Sequence, residues 1–385
     1  MRFPEFSGEW NKYTINDLAT VVGGGTPDTT VKSYWGGDIQ WFTPSEIGKN
    51  KYVDFSKRTI TRDGLDNSSA KLLPLHTILL SSRATVGECS IASNECTTNQ
   101  GFQSLIAKQC NIDFLYYLIQ TKKKDLIRNA CGSTFLEISA NEIRKIKVAV
   151  PVQNEQEQIA KLLSLIDERI ATQNKIIYKL KSLIKGLVDE LMTVLLKGKL
   201  YPFSSFYIKA GEGGTPTTSV VEYYTEGTIP FIKIEDLSCK YLTNNKDFIT
   251  ELGMQKSSAW LIPSKSVIYS NGATIGAISI NEYPVCTKQG ILGIVPNTNI
   301  NVEYLYLLMS SSYFSKEISR IITEGTMKTA YLKDINHIKC PLPSMAQQKN
   351  ITNLTSSIEE KLSIEQELLR FLNLQKQYLL HMIFI

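Results

Sequence analysis

The sequence predicts an α/β protein in which two similar mixed α/β domains are separated by long coiled-coil helices. Short motifs from the first part of the chain return about 190 residues later, a period far longer than the roughly 20 to 50 residues of a solenoid repeat. Between the two copies lies a segment whose apolar residues have helical spacing, and this spacing returns at the end of the chain. The 385 residues also exceed what one hydrophobic core normally organises.

The repeat consists of matched motifs that keep their order in both copies. The pairs are Gly24, Gly25, Thr26, Pro27 with Gly213, Gly214, Thr215, Pro216; Ala84, Thr85, Val86, Gly87 with Ala273, Thr274, Ile275, Gly276; and Thr98, Gln100, Gly101 with Thr287, Gln289, Gly290. We therefore expect a duplicated domain. Two copies of one surface indicate a partner with two sites.

Each copy is predicted to contain short strands and one amphipathic helix. The strands follow turns that contain glycine or proline, and they are Ile39–Phe42, Thr77–Ser81 and Val148–Val150 in the first copy and Ile229–Ile232, Ser266–Ser270 and Ile338–Cys340 in the second. Leucine and tyrosine recur at helical spacing in Ile112–Arg128 and Val302–Ile322. Both copies are therefore mixed α/β.

Residues 152–199 predict a long helix with one apolar seam, because they contain no proline and their apolar residues step by four and three. The seam positions are Ile159, Leu163, Ile166, Ile170, Gln173, Ile177, Leu180, Ile184, Leu187, Leu191 and Val194. A helix of about 44 residues would span roughly 65 Å. So regular a seam requires a second helix packed along it.

The end of the chain supplies this second helix. Its seam positions are Ile351, Ile358, Leu362, Glu365, Leu369, Leu372, Leu379 and Ile383. Gln173 and Glu365 occupy the same slot of the two seams, where a polar layer fixes register or partner at some cost in stability. The alternative is that both face solvent at a flaw in the seam. The predicted segments are residues 1–151, 152–199, 200–343 and 344–385.

Composition favours a soluble cytoplasmic protein. The net charge of +5 is mild, and the seven cysteines form no C-x-x-C pair and are odd in number, which argues against zinc and against a secreted disulfide framework. No apolar run reaches the roughly 18 residues that cross a bilayer, so we expect no membrane association.

Motifs for chemistry are missing from the sequence. The glycines of Gly23–Pro27 and Gly211–Pro216 lack the lysine of a phosphate loop and the third glycine of a dinucleotide site, so we expect turns with positive φ. His76, His337 and His381 have no spaced metal partners. We therefore predict no catalytic residue, no metal and no cofactor on this chain, which disfavours a self-contained nuclease or methyltransferase.

The chain resembles the DNA specificity (S) subunit of type I restriction-modification systems. The resemblance covers essentially the whole length. In addition to the glycine turns, it includes two further sequence fragments. They are the opening Phe3, Pro4, Glu5, Phe6, Gly8, Trp10 and the helix start Pro151, Glu155, Gln156, Ile159. The second helix start departs from the pattern at Ala346, Gln347, Gln348 and Lys349, which is expected to weaken a helix cap or a docking contact.

The resemblance implies how such a protein works. Two target recognition domains each read one half of a bipartite site in double-stranded DNA, and the two long helices pack antiparallel as a spacer. The helices dock modification (methyltransferase) subunits, which bind S-adenosylmethionine and methylate adenine. Restriction (motor-nuclease) subunits, with ATP and Mg²⁺, cut unmodified DNA. The alternative function is a non-enzymatic coiled-coil scaffold or adaptor whose globular domains bind protein.

Candidate DNA-binding residues are polar or basic positions beside the repeated turns. They are Lys32, Thr43, Ser45, Lys49, Ser82, Arg83, Asn99 and Gln100 in the first copy and Lys233, Glu235, Asn271, Lys288 and Gln289 in the second. Asn99 in one copy corresponds to Lys288 in the other. Such differences suit two different half-sites, since arginine prefers guanine and asparagine adenine. The alternative is that exposed residues of the two duplicated domains have diverged without any role in reading DNA.

Overall fold

The computed structural model describes residues 3–132, 136–272, 274–322 and 328–384, so that Ala273 of the repeat lies outside the described residues. The chain divides by packing into two compact units, Met1–Lys175 with Glu367–Ile385, and Ile176–Gln366. Each unit contains one globular copy and a part of each long helix. No helix in the described ranges is both long enough and apolar enough to span a membrane.

The strands follow one another in the same order in both copies, and so do the α-helices, except that the 3₁₀ helix Phe203–Ser205 of the second copy takes the place of the helix Ile15–Leu18 of the first. The first copy contains β1 (Asn11–Thr14), α1 (Ile15–Leu18), β2 (Ala19–Gly23), β3 (Trp35–Phe42), β4 (Tyr52–Val53), β5 (Arg58–Ile60), α2 (Arg62–Asp66), β6 (Ile78–Leu80), β7 (Cys89–Ala92), β8 (Cys96–Thr98), β9 (Gln103–Ala107), α3 (Ile112–Thr121), α4 (Lys123–Arg128), α5 (Ala140–Lys145) and β10 (Lys147–Val150). The first long helix, α6 (Gln153–Leu195), follows.

The second copy repeats this series before the final helix. It contains β11 (Leu200–Pro202), β12 (Tyr207–Glu212), β13 (Ile229–Ile232), β14 (Tyr241–Leu242), β15 (Asp247–Ile249), α7 (Glu251–Gln255), β16 (Val267–Ser270), β17 (Ile278–Asn281), β18 (Cys286–Thr287), β19 (Ile291–Pro296), α8 (Val302–Ser310), α9 (Ser312–Ile321), α10 (Leu332–Ile335) and β20 (Lys339–Pro341). The chain ends with α11 (Met345–Ile383).

The sheets have the same topology in both copies. The described strands of the first copy form a five-stranded sheet of order β2-β9-β6-β7-β4, a three-stranded sheet of order β5-β3-β8 and the pair β1-β10. The second copy repeats these as β12-β19-β16-β17-β14, β15-β13-β18 and β11-β20. β3 runs parallel to β8, as β13 does to β18. The predicted duplication of a mixed α/β domain is confirmed strand by strand.

The single amphipathic helix predicted in each copy is two shorter helices. In the first copy the break falls at Lys122, whose ψ of 5° leaves the helical range. In the second it falls at Ser311, which has extended backbone and whose hydroxyl accepts a hydrogen bond from the N–H of Phe314. A serine that caps a new helix in this way ends the previous one, and the apolar spacing continues across the break without revealing it.

The long helices pack against each other in opposite directions within each unit. In the first unit Ile159, Leu163 and Ile166 of α6 share a core with Leu379 and Ile383 of α11. The early residues of α6 thus meet the late residues of α11.

In the second unit this pairing is reversed. Val188 and Met192 of α6 share a core with Ile351, near the beginning of α11. α6 has 43 residues and α11 has 39, so both have the length the seams predict.

All seam residues except Val194 are buried or half-buried. The buried ones are Ile159, Leu163, Ile166, Gln173, Ile177, Ile351, Glu365, Leu372, Leu379 and Ile383. The half-buried ones are Ile170, Leu180, Ile184, Leu187, Leu191, Ile358, Leu362 and Leu369. Gln173 and Glu365 are only 5% and 7% exposed to solvent, so the alternative in which they face solvent is wrong.

The seam shifts by one residue near the end of α6. Val188 and Met192 are buried there, whereas Leu187 and Leu191 are half-buried and Val194 is 62% exposed. An α-helix with 3.6 residues per turn drifts against a strict heptad pattern. The apolar face therefore moves from Leu187 to its neighbour Val188, and the predicted seam is out of register in the last turns.

A buried glutamine joins each long helix to its globular copy. Gln156 accepts a hydrogen bond from the N–H of Asn111 at 2.9 Å and donates to the carbonyl of Pro151 at 2.9 Å. Asn111 is the residue that caps α3, because its side chain accepts from the N–H of Phe114. One amide thus links the beginning of α6 to the beginning of α3.

The second copy repeats this link with Gln348, which is fully buried. Its side chain accepts from the N–H of Asn301, the cap of α8, at 2.8 Å. It donates to the carbonyls of Pro343 and Asn299 at 2.9 and 3.0 Å. The duplicated helix start is therefore a duplicated junction.

The departure at the second helix start does not remove the helix cap. Gln347 accepts a hydrogen bond from the N–H of Ser344 at 3.0 Å, and the Ser344 hydroxyl accepts one from the N–H of Gln347 at 3.4 Å. This is the reciprocal pattern of a capping box, so the expected weakening of the cap is wrong. The first copy uses the position differently, since Glu155 accepts from the Trp10 indole at 3.2 Å.

Replacing the junction glutamine is expected to destabilise the first unit. The substitution Gln156→Leu leaves the N–H of Asn111 and the carbonyl of Pro151 buried without these bonds, which costs about 2 to 4 kcal/mol in free energy of unfolding. Urea unfolding followed by circular dichroism measures the loss. Gln158→Leu, at an exposed position of the same helix, is the control and should change stability by less than about 0.5 kcal/mol. Equal losses in the two variants would contradict the junction's role.

Candidate nucleic-acid interface

The repeated turns meet at one end of the three-stranded sheet. Because β3 and β8 are parallel, their carboxyl ends lie side by side, and the N–H of Asn99 donates to the carbonyl of Phe42 at 3.0 Å. Thr43 and Ser45 follow β3 and their hydroxyls lie 3.1 Å apart, while Gln100 follows β8. These four candidate residues are therefore gathered at one edge.

The second copy gathers its candidates in the same way. The N–H of Lys288 donates to the carbonyl of Ile232 at 2.9 Å, which places Lys288 beside Lys233. The N–H of Gln289 donates to the Thr215 hydroxyl at 3.4 Å, so the glycine turn lies against the same edge. Lys288 and Gln289 are exposed, as are Ser45, Gln100 and Glu235.

The glycine turn of the first copy is held over this edge by hydrogen bonds. The N–H of Gly25 donates to the carbonyl of Thr98 at 2.8 Å, and the Trp41 indole donates to the carbonyl of Gly25 at 2.9 Å. The hydroxyl of Thr26 donates to the side chain of Gln100. The turn therefore helps to fix the position of a candidate DNA-contacting side chain.

Close packing is the reason for glycine at these turns. None of the positive-φ glycines belongs to the Gly-Gly-Thr-Pro turns, so the expectation of positive φ there is wrong. A β-carbon on Gly24 would lie 2.0 Å from the carbonyl oxygen of Asn99, and one on Gly213 would lie 2.1 Å from that of Thr287. The turn backbone lies directly on the strand end, where any side chain would collide. The duplicated Gly87 and Gly276 do have positive φ.

A third loop joins the edge after β6. The N–H of Ser82 donates to the carbonyl of Gly101 at 2.8 Å, and the N–H of Asn271 donates to that of Gly290 at 3.0 Å. Ser82 and Asn271 are buried, and the Asn271 amide donates to the carbonyl of Ala330 at 3.1 Å. The backbone of both residues and the side chain of Asn271 therefore hold the loop, and neither side chain faces solvent.

Two of the charged candidates are already paired within the protein. Arg83 is half-exposed and its Nε lies 3.2 Å from the carboxylate of Glu137. Lys233 lies 2.9 Å from the carboxylate of Asp247, and this hydrogen bond raises the pKa of Lys233 above its usual value. To contact DNA, Arg83 or Lys233 must either bind the DNA while it stays paired with its acidic partner or break that ion pair.

Lys32 and Lys49 lie apart from these loops in the contacts the structure shows. Lys32 is exposed at the beginning of the short 3₁₀ helix Lys32–Tyr34. Lys49 lines a cleft that also includes Asn174 of α6 and Lys376 of α11. The sequence places both residues near repeated turns, but proximity along the chain does not bring Lys49 to the sheet edge.

Sequence reasoning missed Arg58, which lies at the same end of the sheet. Arg58 is opposite Trp41 in the pairing of β5 with β3, and its guanidinium stacks 3.6 Å from the ring centre of Trp35. Asp247 holds the equivalent place in the second copy, opposite Phe231. The alternation of polar and apolar residues along β5 was the sequence signal for an exposed Arg58. Its position beside β3 could not be predicted in this way, because the pairing of β5 with β3 joins residues that are distant along the chain. A positive group in one copy and a negative one in the other make this a further position where the two surfaces differ.

Two copies of one α/β domain, each with polar loops at a sheet edge and each locked to a long helix, define a duplicated recognition protein. The family described as the type I restriction modification DNA specificity domain matches residues 7–182 and 206–373. The chain belongs to this family of DNA specificity subunits, as its sequence motifs predicted.

Relatives and solved structures agree with this family. The chain is 29% identical over 382 residues to the type I restriction enzyme MjaIX specificity subunit of Methanocaldococcus jannaschii, covering 92% of this chain and 88% of that protein. It is 28% identical over 175 residues to the EcoR124I/EcoR124II specificity subunit of Escherichia coli, covering 43% of each chain.

Two solved structures show the same fold. The crystal structure of the type I restriction-modification S subunit from M. genitalium superposes with a TM-score of 0.55 at 18% identity, covering 100% of this chain and 99% of that one. A chain from a study of complex assembly and conformational transition in the type I R-M system has a TM-score of 0.58 at 14% identity, covering 99% and 98%. At these identities the likeness concerns the fold alone.

Lys288 is expected to contribute to DNA binding because it is exposed at the sheet edge and carries a positive charge. In a complex assembled on the full chain, Lys288→Gln should weaken DNA binding about fivefold to tenfold and, for a phosphate contact, lower the salt slope by about 1. Fluorescence anisotropy at several salt concentrations measures both. Lys316→Gln, at an exposed position of α9, is the charge-matched control. Equal affinities of the two variants would remove Lys288 from the interface.

Proposed function

We propose that this chain directs adenine methylation and restriction to a bipartite site in double-stranded DNA, with one half-site read by each globular copy. The observation that carries the proposal is one sheet edge built twice with different polar side chains. Asn99 and Arg58 in the first copy are replaced by Lys288 and Asp247 in the second. A framework kept constant with changed exposed groups is what two different half-sites require, because base edges carry the sequence information.

The long helices supply the fixed distance between the two readers. Half-sites on one face of B-DNA repeat about every 34 to 36 Å, so a stiff spacer selects a gap between them. Joining two weak readers also raises the apparent affinity through effective concentration. The mild net charge of +5 fits a subunit that reads bases while its partners supply much of the phosphate contact. We also propose a cytoplasmic location, which suits a function on genomic DNA.

The partners we propose are modification subunits that dock on an apolar side of the long helices. In the first unit the long helices carry several large apolar residues that are about half exposed, and a cluster of such residues marks an interaction surface. They are Leu165 at 50%, Leu368 at 45%, Phe371 at 52%, Leu374 at 49% and Tyr378 at 58%. The four residues on α11 recur at three- and four-residue steps along one side of the helix, and this side borders the buried positions Leu372 and Leu379.

The long helices of the second unit also carry exposed apolar residues, although these do not recur at three- and four-residue steps. They are Tyr178, Leu183, Val194, Leu354 and Ile364, each more than half exposed. One apolar set in each unit fits two modification subunits for one specificity subunit. In this assembly S-adenosylmethionine belongs to the modification subunits, ATP and Mg²⁺ belong to the restriction subunits, and this chain contributes no catalytic group. A protein-binding scaffold with no role in DNA recognition is not favoured by the family match.

Methylome sequencing tests the proposed recognition. Cells that express the modification subunit with this chain as the only specificity subunit should acquire methylated adenine in a motif of two defined parts separated by a gap of fixed length. Cells expressing the modification subunit alone provide the control. A methylated motif in one continuous block, or none despite an assembled complex, would contradict the proposal.

The docking face is tested by a charge inserted into it. Leu368→Asp with Phe371→Asp should remove one modification subunit from the complex, because an aspartate buried in an apolar helix contact is strongly disfavoured. Native mass spectrometry of the co-expressed complex measures the stoichiometry. Gln377→Asp lies at an exposed position elsewhere on the same helix and should leave it unchanged. Full occupancy in the double variant would place the docking surface elsewhere.

A further inference from the structure

Each globular copy carries a lysine whose side chain is almost completely buried against the long helices. Lys51 immediately precedes β4 and its side chain is 10% exposed, and Lys240 immediately precedes β14 with 12% exposed. An ammonium group withdrawn from water is costly unless charged and hydrogen-bonding partners surround it. The identity of these partners therefore shows what each lysine holds together.

In the first copy Lys51, just before β4, connects the five-stranded sheet to α3 and to α6. Its Nζ lies 2.7 Å from the carboxylate of Asp113, in the first turn of α3, and donates to the hydroxyl of Ser164 on α6 at 2.6 Å. The hydroxyl of Tyr52 donates to the same Asp113 carboxylate at 2.8 Å. Burial, together with this hydrogen bond, raises the pKa of Tyr52, so the phenol remains a donor.

The network continues from α3 to both long helices. The hydroxyl of Tyr117 donates to the carboxylate of Asp167 on α6 at 2.7 Å. The same carboxylate lies 2.7 Å from the Nζ of Lys376 on α11. Two lysines and two aspartates thus balance in charge while joining one globular copy to both helices of its unit.

The second copy contains the same arrangement. Lys240 pairs with the carboxylate of Glu303, in the first turn of α8, at 3.5 Å and with that of Glu359 on α11. The hydroxyl of Tyr241 donates to Glu303 at 2.6 Å, as Tyr52 does to Asp113. Glu359 is the repeat counterpart of Asp167. The duplication has therefore kept a lysine, a tyrosine and an acidic residue at each junction, although the acid on the long helix is contacted differently.

An open cleft lies beside each of these clusters. The cleft in the first unit has a volume of about 890 Å³ and that in the second about 850 Å³, and both are lined by the globular copy and the long helices. Close apolar packing therefore does not extend over this whole boundary. Apolar contacts tolerate sliding, whereas hydrogen-bonded ion pairs have a defined direction and length. The clusters are placed to fix the angle at which each copy sits on its helix.

We propose that Lys51 and Lys240 are positioning residues that hold each recognition domain at one angle on the spacer and thereby restrict the length of the gap between half-sites. The inference rests on the proposed reading of a bipartite target. Neighbouring base pairs are about 3.4 Å apart along the DNA axis, so a small rotation of one domain changes the accepted gap by one base pair. The bases read within each half-site do not depend on these lysines.

The test combines Lys51→Met with Asp113→Asn in the complete modification complex. Both charges are removed together, methionine keeps most of the side-chain volume, and asparagine still accepts from Tyr52. Methylome sequencing should show the same two half-sites as the original chain, with methylation at gaps one base pair longer or shorter rising at least about tenfold. Lys51→Arg, which keeps the charge, should restore the single gap.

Controls separate the possible outcomes. Lys265→Met with Glu282→Gln removes an ion pair that is 60% and 31% exposed and should leave the gap unchanged. If the Lys51 variant does not accumulate, Lys240→Met with Glu303→Gln and Glu359→Gln applies the same test to the second copy, because Lys240 pairs with both acids. Loss of thermal stability with an unchanged gap would show a merely structural lysine and overturn the inference. A failure of the proposed function is distinguishable, because the unaltered chain would then show no two-part motif.

Discussion

Two buried glutamine amides, Gln156 and Gln348, hold the architecture together at the points where a globular copy becomes a long helix. Each amide accepts from the N–H of an asparagine that caps a domain helix and donates to the carbonyl before the long helix. Its two halves therefore satisfy backbone groups of both elements at once. A flexible linker at this point would let the domain rotate freely relative to its long helix. The length of the helices would then no longer determine where the proposed recognition surface lies. In the proposed function the long helices can set the gap only because these junctions attach each domain firmly to its helix.

The candidate interface at the end of the three-stranded sheet also combines a fixed backbone with variable side chains. Gly24 and Gly213 bring a turn into direct contact with a strand end, where even a β-carbon would collide. Backbone hydrogen bonds then place Asn99 and Lys288 at equivalent positions. Because main-chain groups make these bonds, they survive any change of side chain except a change to proline, which has no N–H to donate. In the proposed function, specificity can therefore change at these two positions while the domain keeps its fold.

The sequence predicted features that depend on local pattern or on the repeat. The period of the copies, the two long helices and most of the seam follow from spacing alone. The pairing of β5 with β3, which brings Arg58 to the candidate interface, depends on contacts distant in sequence. The break at Ser311 was hidden by continuous apolar spacing, and the shift to Val188 by the small difference between 3.5 and 3.6 residues per turn. The packing role of Gly24 requires knowing which strand end it meets.

The two kinds of junction contact act on different degrees of freedom. Gln156 fixes where α6 begins relative to α3, near the point where the chain leaves the domain. Lys51 acts further along α6 at Ser164, so that it opposes rotation about the first point. Two separated attachments define an angle, which one attachment cannot.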